Sequence, residues 1–195
     1  MDMAFDDASA VSDEALLVAY GNGDRAAAQM LTARLAPRVL GFSTRMLGGD
    51  RAEAEDVTQE AMLRLWKIAP EWRQGEAKVS TWLFRVASNL CTDRLRKRRS
   101  VDLDSVPEPE DAAPGAVAGL IEADRARALE RALAELPDRQ REAVVLRHLE
   151  GLANPEIAQA MEISIEAVES LTARGKRTLA RILSGRREEL GYDSD

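Results

Sequence analysis

Arg85, Ser88, Asn89, Thr92, Arg96 and Arg99 fall within one arc of about 100° when residues 80 to 99 are wound at helical pitch. Guanidinium groups beside an asparagine and two hydroxyls suit a nucleic-acid strand: arginines meet phosphates, and the amide and hydroxyls bond to sugars or base edges. A second arc joins Ser170, Arg174, Arg177 and Arg181, with Glu166 beside it. Arginines on such a face pair with phosphates or grip guanine edges bidentately. A third set, Glu53, Asp56, Glu60, Arg64 and Lys67, mixes acids and bases on one side of a helix. The Glu60 to Arg64 spacing supports that helix. A metal site there is poor, because no histidine is near and Arg64 competes for the carboxylates. No nucleophile–base pair, phosphate-cradling loop or metal-ligand spacing occurs elsewhere, so no catalytic residue, metal or cofactor is expected and the chain is not read as an enzyme. Cys91, the sole cysteine, reads as core filler, and His148, the sole histidine, as a surface residue near a helix end, where cationic character is favoured.

Positioning these arcs requires helices, and the sequence is written for them. Ala, Leu, Arg and Glu dominate, apolar residues recur at helical spacing, and strand or hairpin signals are nearly absent. The expected fold is all-α, with two small helical domains. Val57, Ala61, Leu65 and Ile68 form one inward stripe, Trp82, Val86 and Leu90 another. A loop around Gly75 leads into the second of these helices, which is expected to begin near Ser80 or Thr81. Trp72 flanks that loop and suits either stacking or packing. Between the domains, residues 100 to 115 hold five acids, three prolines and no base, directly after five bases in residues 94 to 99. That composition marks a flexible acidic linker. The organisation is therefore a flexible acidic lead at 1–11, a first domain at 12–99, a linker at 100–120, a second domain at 121–185 and a tail at 186–195. The second domain is small enough to profit from a stabilising partner.

Total charge is −7, yet it is segregated: residues 1 to 24 carry six acids and no base, and residues 174 to 187 carry six bases and no acid. No stretch approaches the ~20 apolar residues of a membrane span, and no secretory leader is apparent. A single cysteine fits a reducing cytoplasm.

Residues 154 to 183 read as a helix-turn-helix. Asn154 and Pro155 make a cap and first-turn pair, with Ile157, Ala158 and Met161 on the buried side. Ser164 caps the second helix, whose Ile165, Val168, Leu171, Gly175, Leu179 and Ile182 turn inward. The turn position that favours positive φ holds Glu162 rather than glycine.

Here the sequence resembles a family. Residues 72 to 99, with Gly75, the run Thr81 to Ala87, Asn89, Asp93 and Arg96, look like the promoter-melting segment of the extracytoplasmic-function (ECF) sigma factors of the sigma-70 family. Upstream, Asp56-Val57-Thr58-Gln59-Glu60 resembles the helix with which these factors dock on the polymerase β′ coiled coil. Downstream, Leu136 to Ala143 followed by the helix-turn-helix resembles the family's C-terminal domain. The likeness covers about residues 12 to 185; Glu162, Glu169 and Leu171 depart from common choices in the helix-turn-helix.

The resemblance implies binding to core RNA polymerase (β and β′ subunits) through Asp56, Gln59 and Glu60 in a bacterial cytoplasm. It implies −10 recognition and melting by Gly75, Glu76, Ala77, Lys78 and Ser80, which form a base-capturing loop, with Arg85, Asn89 and Arg96 holding the single strand. Ser164, Glu166, Ser170, Arg174, Arg177 and Arg181 would face the −35 promoter DNA. It further implies a stress regulon and an anti-sigma factor, of the zinc-containing type on the Ala/Arg-rich composition, around which the two domains collapse. The linker acids Asp102, Asp104, Glu108, Glu110 and Asp111 would thread the polymerase RNA channel. The rival readings are a helix-turn-helix regulator independent of polymerase, which leaves residues 72 to 99 idle, and a helical adaptor that binds no nucleic acid.

Overall fold

The structure is a computed structural model that describes residues 11–73, 75, 77–101 and 120–185. Among the described residues there are eight α-helices and no strand. They are α1 (Asp13–Gly21), α2 (Arg25–Met46), α3 (Arg51–Ile68), α4 (Val79–Val101), α5 (Leu120–Ala134), α6 (Asp138–His148), α7 (Asn154–Met161) and α8 (Ile165–Ser184). None of them is long and apolar enough to cross a membrane.

Side-chain caps fix the first three helix starts. Ser12 Oγ accepts from Ala15 N at 3.2 Å, Asp24 Oδ1 from Ala26 N at 2.9 Å, and Asp50 Oδ1 from Glu53 N at 3.0 Å. The start of α4 is capped from afar: Val79 N donates to Glu14 Oε1 of α1 at 3.0 Å. Helix α4 thus begins one residue before the earliest expected start and continues past 99 into Ser100 and Val101. The rest of the expected linker up to 119, the lead at 1–10 and the tail at 186–195 lie outside the described residues.

Helices α1 to α4 pack around Leu17, Leu35, Phe42, Leu65, Leu83 and Phe84, with the two phenylalanines edge to face at 5.5 Å. Each such buried side chain contributes about 1.5–3 kcal/mol through area removed from water. In the other half α6 lies directly against α8. A Cβ on Gly175 would stand 2.6 Å from Val144 Cγ2 and 3.1 Å from the Gln140 carbonyl, so only glycine permits this approach.

The two halves share one apolar core. Leu133, Leu136, Val145, Leu146 and Ile157 are continuous with the core of α1 to α4, and α7 lies along α4. Arg141 pins the junction. Its buried guanidinium donates to Leu133 O at 2.9 Å, Ala134 O at 2.8 Å and Leu136 O at 3.1 Å, which are carbonyls left over where α5 ends. It also donates to Met46 O at the end of α2, at 2.8 Å. Burial lowers its pKa, Asp138 nearby raises it and Arg99 adds to the lowering. The partner that a small second domain needs is therefore the first domain.

Candidate nucleic-acid and polymerase interface

Three surfaces carry the expected functional residues. On α3, Asp56 and Gln59 are exposed, and half-buried Glu60 accepts from Arg64 Nε at 2.8 Å. With Leu63, Arg64, Leu90 and Arg94 they rim a shallow hollow. Leu63 is 56% exposed, which is unusual for leucine in a packed helix. It also edges an apolar groove of about 640 Å³ between α2 and α3, lined by Pro37, Leu40, Met62 and Trp66. Sequence reasoning passed over this groove. The available signal was Leu63 itself, an apolar residue one turn beyond Gln59 on the polar side of the helix.

The second surface sits at the head of α4. Gly75 has φ 94, a conformation open to glycine at little cost. Gly75 and Lys78 are exposed, Ala77 and Ser80 are half-buried, and Glu76 lies outside the described residues. A cavity of about 420 Å³ opens beside them, lined by Ile68, Glu71, Trp72, Arg73, Ala77, Trp82 and Arg85. Trp72 and Trp82 meet edge to face there at 6.3 Å. Trp72 Nε1 is buried without an acceptor, and an unpaired donor at a cavity wall is ready for a ligand acceptor. Trp82, expected in the core, is half-buried: it packs on the core and also lines this cavity.

Farther along α4, Asn89 and Arg96 are exposed and Arg85 is half-buried. Ser88 departs from expectation. It belongs to the polar arc by phase, yet it is buried and donates to Glu142 of α6. Several of the cations at the end of α4 are already paired with acids. Arg94 Nε holds Glu53 Oε2 at 2.5 Å, Arg98 pairs with Asp50, and Arg99 pairs with Asp138.

The third surface is the helix-turn-helix of α7 and α8. Ala153, not Asn154, is the N-cap residue of α7, and its N–H is satisfied by Glu156 Oε2 at 2.7 Å. Asn154 becomes the first helical residue, with Pro155 behind it. Glu162 adopts φ 54, ψ 46, so the turn is left-handed without a glycine, at a cost of roughly 1–2 kcal/mol. Ser164 Oγ caps α8 by accepting from Ala167 N at 3.2 Å. Ser164, Glu166, Ser170, Arg174, Arg177 and Arg181 are all exposed. A backbone hydrogen bond at its own N–H and the Ser164 hydroxyl lower the pKa of Glu166. Ile165, expected inward, is 41% exposed because it opens the helix before the packed face is reached. His148 ends α6 and is exposed, but partial burial and the neighbouring Lys176 and Arg147 lower its pKa, so the expected cationic role is not supported. Cys91 is buried, and desolvation raises its pKa to about 12.

Comparison with known proteins meets this geometry at the same elements. Residues 31–101 match the family model of sigma-70 region 2, and residues 126–179 match that of sigma-70 region 4. The ECF RNA polymerase sigma factor SigM of Mycobacterium tuberculosis is 35% identical over 172 residues, 88% of this chain and 85% of the relative. The chain belongs to the sigma-70 family, among its ECF sigma factors. RNA polymerase sigma factor CarQ of Myxococcus xanthus is 35% identical over 84% of this chain and 93% of its own. Among solved structures, CnrH in complex with the cytosolic domain of CnrY superposes with a TM-score of 0.66 at 25% identity, covering 89% of this chain and 97% of CnrH. Helices α2 to α4 are thus the region 2 fold and α5 to α8 the region 4 fold. A member of this family is a transcription initiation factor that works with core RNA polymerase and promoter DNA.

Proposed function

We propose that this ECF sigma factor docks on core polymerase through the outer face of α3, captures a −10 base beside α4, and reads the −35 element with α8. The observation that carries the reading is the cavity at the head of α4. Two tryptophans, two arginines and an unpaired indole donor surround a space at the end of a glycine-hinged loop. Such a site stacks a base, meets its flanking phosphates and offers a hydrogen bond to its edge. Unstacking the base costs a few kcal/mol, which these contacts offset.

On α3, Asp56, Gln59 and Glu60 present acid and amide groups to a basic helix pair, and exposed Leu63 adds an apolar anchor. On α8, Arg174, Arg177 and Arg181 lie along the edge that enters the major groove, with Ser164, Glu166 and Ser170 nearer its N-terminal end. The protein acts by binding, in the compartment that holds polymerase, the bacterial cytoplasm. An anti-sigma factor holds it inactive and releases it to a stress regulon. For the same fold, RpoE is solved in complex with the anti-sigma factor NepR from Bartonella quintana, and CnrH in complex with the cytosolic domain of CnrY.

Run-off transcription with purified core polymerase tests the reading. Product from a cognate promoter only when both proteins are present is the expected result. Tight, specific promoter binding by the protein alone in a gel shift, with no run-off product, would instead establish the polymerase-independent regulator.

A further inference from the structure

The outward line of α8 begins with an acid and turns basic farther along. The helix is anchored on its inner side by Val168 and Gly175, both buried. At about 100° per residue the opposite line runs through Glu166, Ser170, Ala173 and Arg177, all exposed, with exposed Arg174 beside it. Glu166 stands at the N-terminal end of that line, the end that meets base edges when such a helix enters the major groove. Hydrogen bonds at its own N–H and from the Ser164 hydroxyl lower its pKa and keep it ionised. Glu169 is disposed differently: it lies on the flank of the line and accepts from Asn154 Nδ2 of α7 at 3.4 Å. Arg174 Nε donates to the Ser170 carbonyl at 3.3 Å, which draws its guanidinium back toward the turn that carries Glu166. An anion and a cation are thus offered along one outward face.

We propose that Glu166 selects a cytosine in the −35 element, and that Arg174 takes a guanine a few base pairs away. The inference rests on the assignment of α8 to the −35 duplex and names the bases that this face reads. Eight residues at about 1.5 Å each span about 12 Å, or roughly three base pairs at about 3.4 Å. The selection follows from what an ionised carboxylate can do, which is to accept hydrogen bonds and never donate them. In the major groove guanine shows it two acceptors, O6 and N7, and thymine shows it O4. Cytosine shows it only the N4 amino donor. Adenine has an amino group too, but its N7 lies alongside and opposes a side chain that can only accept. Phosphates repel the carboxylate as well. Glu166 therefore acts against wrong sequences as much as it favours the right one. Ala173, next to the arginines, has only a methyl to offer and suits the methyl of a thymine.

Run-off transcription by the full-length chain with core polymerase tests this on a template pool randomised across both promoter elements. Each template carries a barcode downstream of the start, so sequencing the transcripts reports the promoters used. The wild type is expected to prefer cytosine about tenfold at one −35 position, with guanine enriched within about three base pairs of it. Glutamine grips adenine at N6 and N7, so Glu166→Gln should move the preference at that position alone from cytosine to adenine. Glu166→Ala should level it. A second arm needs no variant and so decides the matter should Glu166→Gln fail to fold. Placing N4-methylcytosine at the selected position of one enriched promoter blocks the outward amino hydrogen and should lower wild-type transcription about tenfold. The same base placed outside the element should leave the yield unchanged. A cytosine preference that persists in Glu166→Gln, or full transcription from the methylated promoter, would overturn the proposal. The two levels separate cleanly. A −35 preference that ignores Glu166 sinks only this inference, whereas transcripts made with no −35 preference at all sink the assignment of α8 on which it rests.

Discussion

Helices α4 and α8 are both long, both basic and both assigned to promoter DNA, yet the protein presents them differently. The outer edge of α8 is open: Arg174, Arg177 and Arg181 are exposed, and Arg174 donates back to the Ser170 carbonyl at 3.3 Å. The corresponding side of α4 is partly covered. Ser88 is buried under Glu142, while Arg99 and Lys78 pair with acids of region 4 yet keep 70% and 69% of their side chains exposed. On the proposed assignment, α8 offers its outer edge directly to a duplex, whereas α4 has Ser88 turned into its junction with region 4.

The harshest way to break the comparison is to remove what joins the halves. Arg141→Ala removes the guanidinium donor from the carbonyls of Leu133, Ala134, Leu136 and Met46, of which Leu133 keeps the Leu136 N–H at 3.1 Å. Each buried carbonyl left without a partner costs about 1–3 kcal/mol. Thermal unfolding followed by circular dichroism should show region 4 lost first, since its end of α5 depends on three of those bonds. A melting curve matching the wild type would mean that the junction is held by apolar packing alone.

On the open helix, Arg174→Glu with Arg177→Glu should reduce run-off transcription roughly 10–100-fold, at about 1–3 kcal/mol for a lost bidentate base contact. Polymerase binding should stay intact, because neither residue lies near α3. An unchanged yield would move the −35 contact away from α8. On the covered helix, Trp72→Ala removes one wall of the cavity beside α4. Base stacking on an aromatic is worth about 1–3 kcal/mol, so strand opening should fall about tenfold. Permanganate reactivity of unpaired thymines measures it directly, and full opening by the variant would empty the cavity of its assigned role.

The comparison also marks what the sequence could convey. The helices, their inward stripes and the polar edges of α3, α4 and α8 were legible, because helical period is a local property. Glu162 was identified as the turn position, and its left-handed geometry is present with no glycine to ease it. What escaped was set by the other half of the chain. Ser88 has the right phase for a DNA-facing hydroxyl, but phase says nothing about Glu142 arriving from 54 residues away. Trp82 was assigned to the core by the same logic, and the cavity it lines forms only when the Trp72 loop folds back over α4. The start of α7 moved by one residue, since the Glu156 side chain can satisfy a capping N–H from inside the helix. Exposed Leu63 was legible but unused.

The smallest effect tests the Ser88–Glu142 contact itself. Burial raises the pKa of Glu142, while the Ser88 hydroxyl and Arg139 lower it and Asp138 adds to the rise. An acid whose folded pKa exceeds its unfolded value binds its proton more tightly when folded. Its contribution to stability is therefore complete at low pH and falls as pH rises from about 4.5, the ordinary glutamate value, through the raised value. Glu150, raised by burial against the opposing pull of Arg38 and Arg45, adds a slope of the same sign, so Glu142→Gln should flatten the decline without abolishing it. Glutamine still accepts from Ser88, so at low pH the variant should lie within about 1 kcal/mol of the wild type. Urea midpoints from pH 4 to pH 8 measure this; equal slopes in both proteins would show that Glu142 is ionised in the folded protein, held so by Ser88 and Arg139 against its burial.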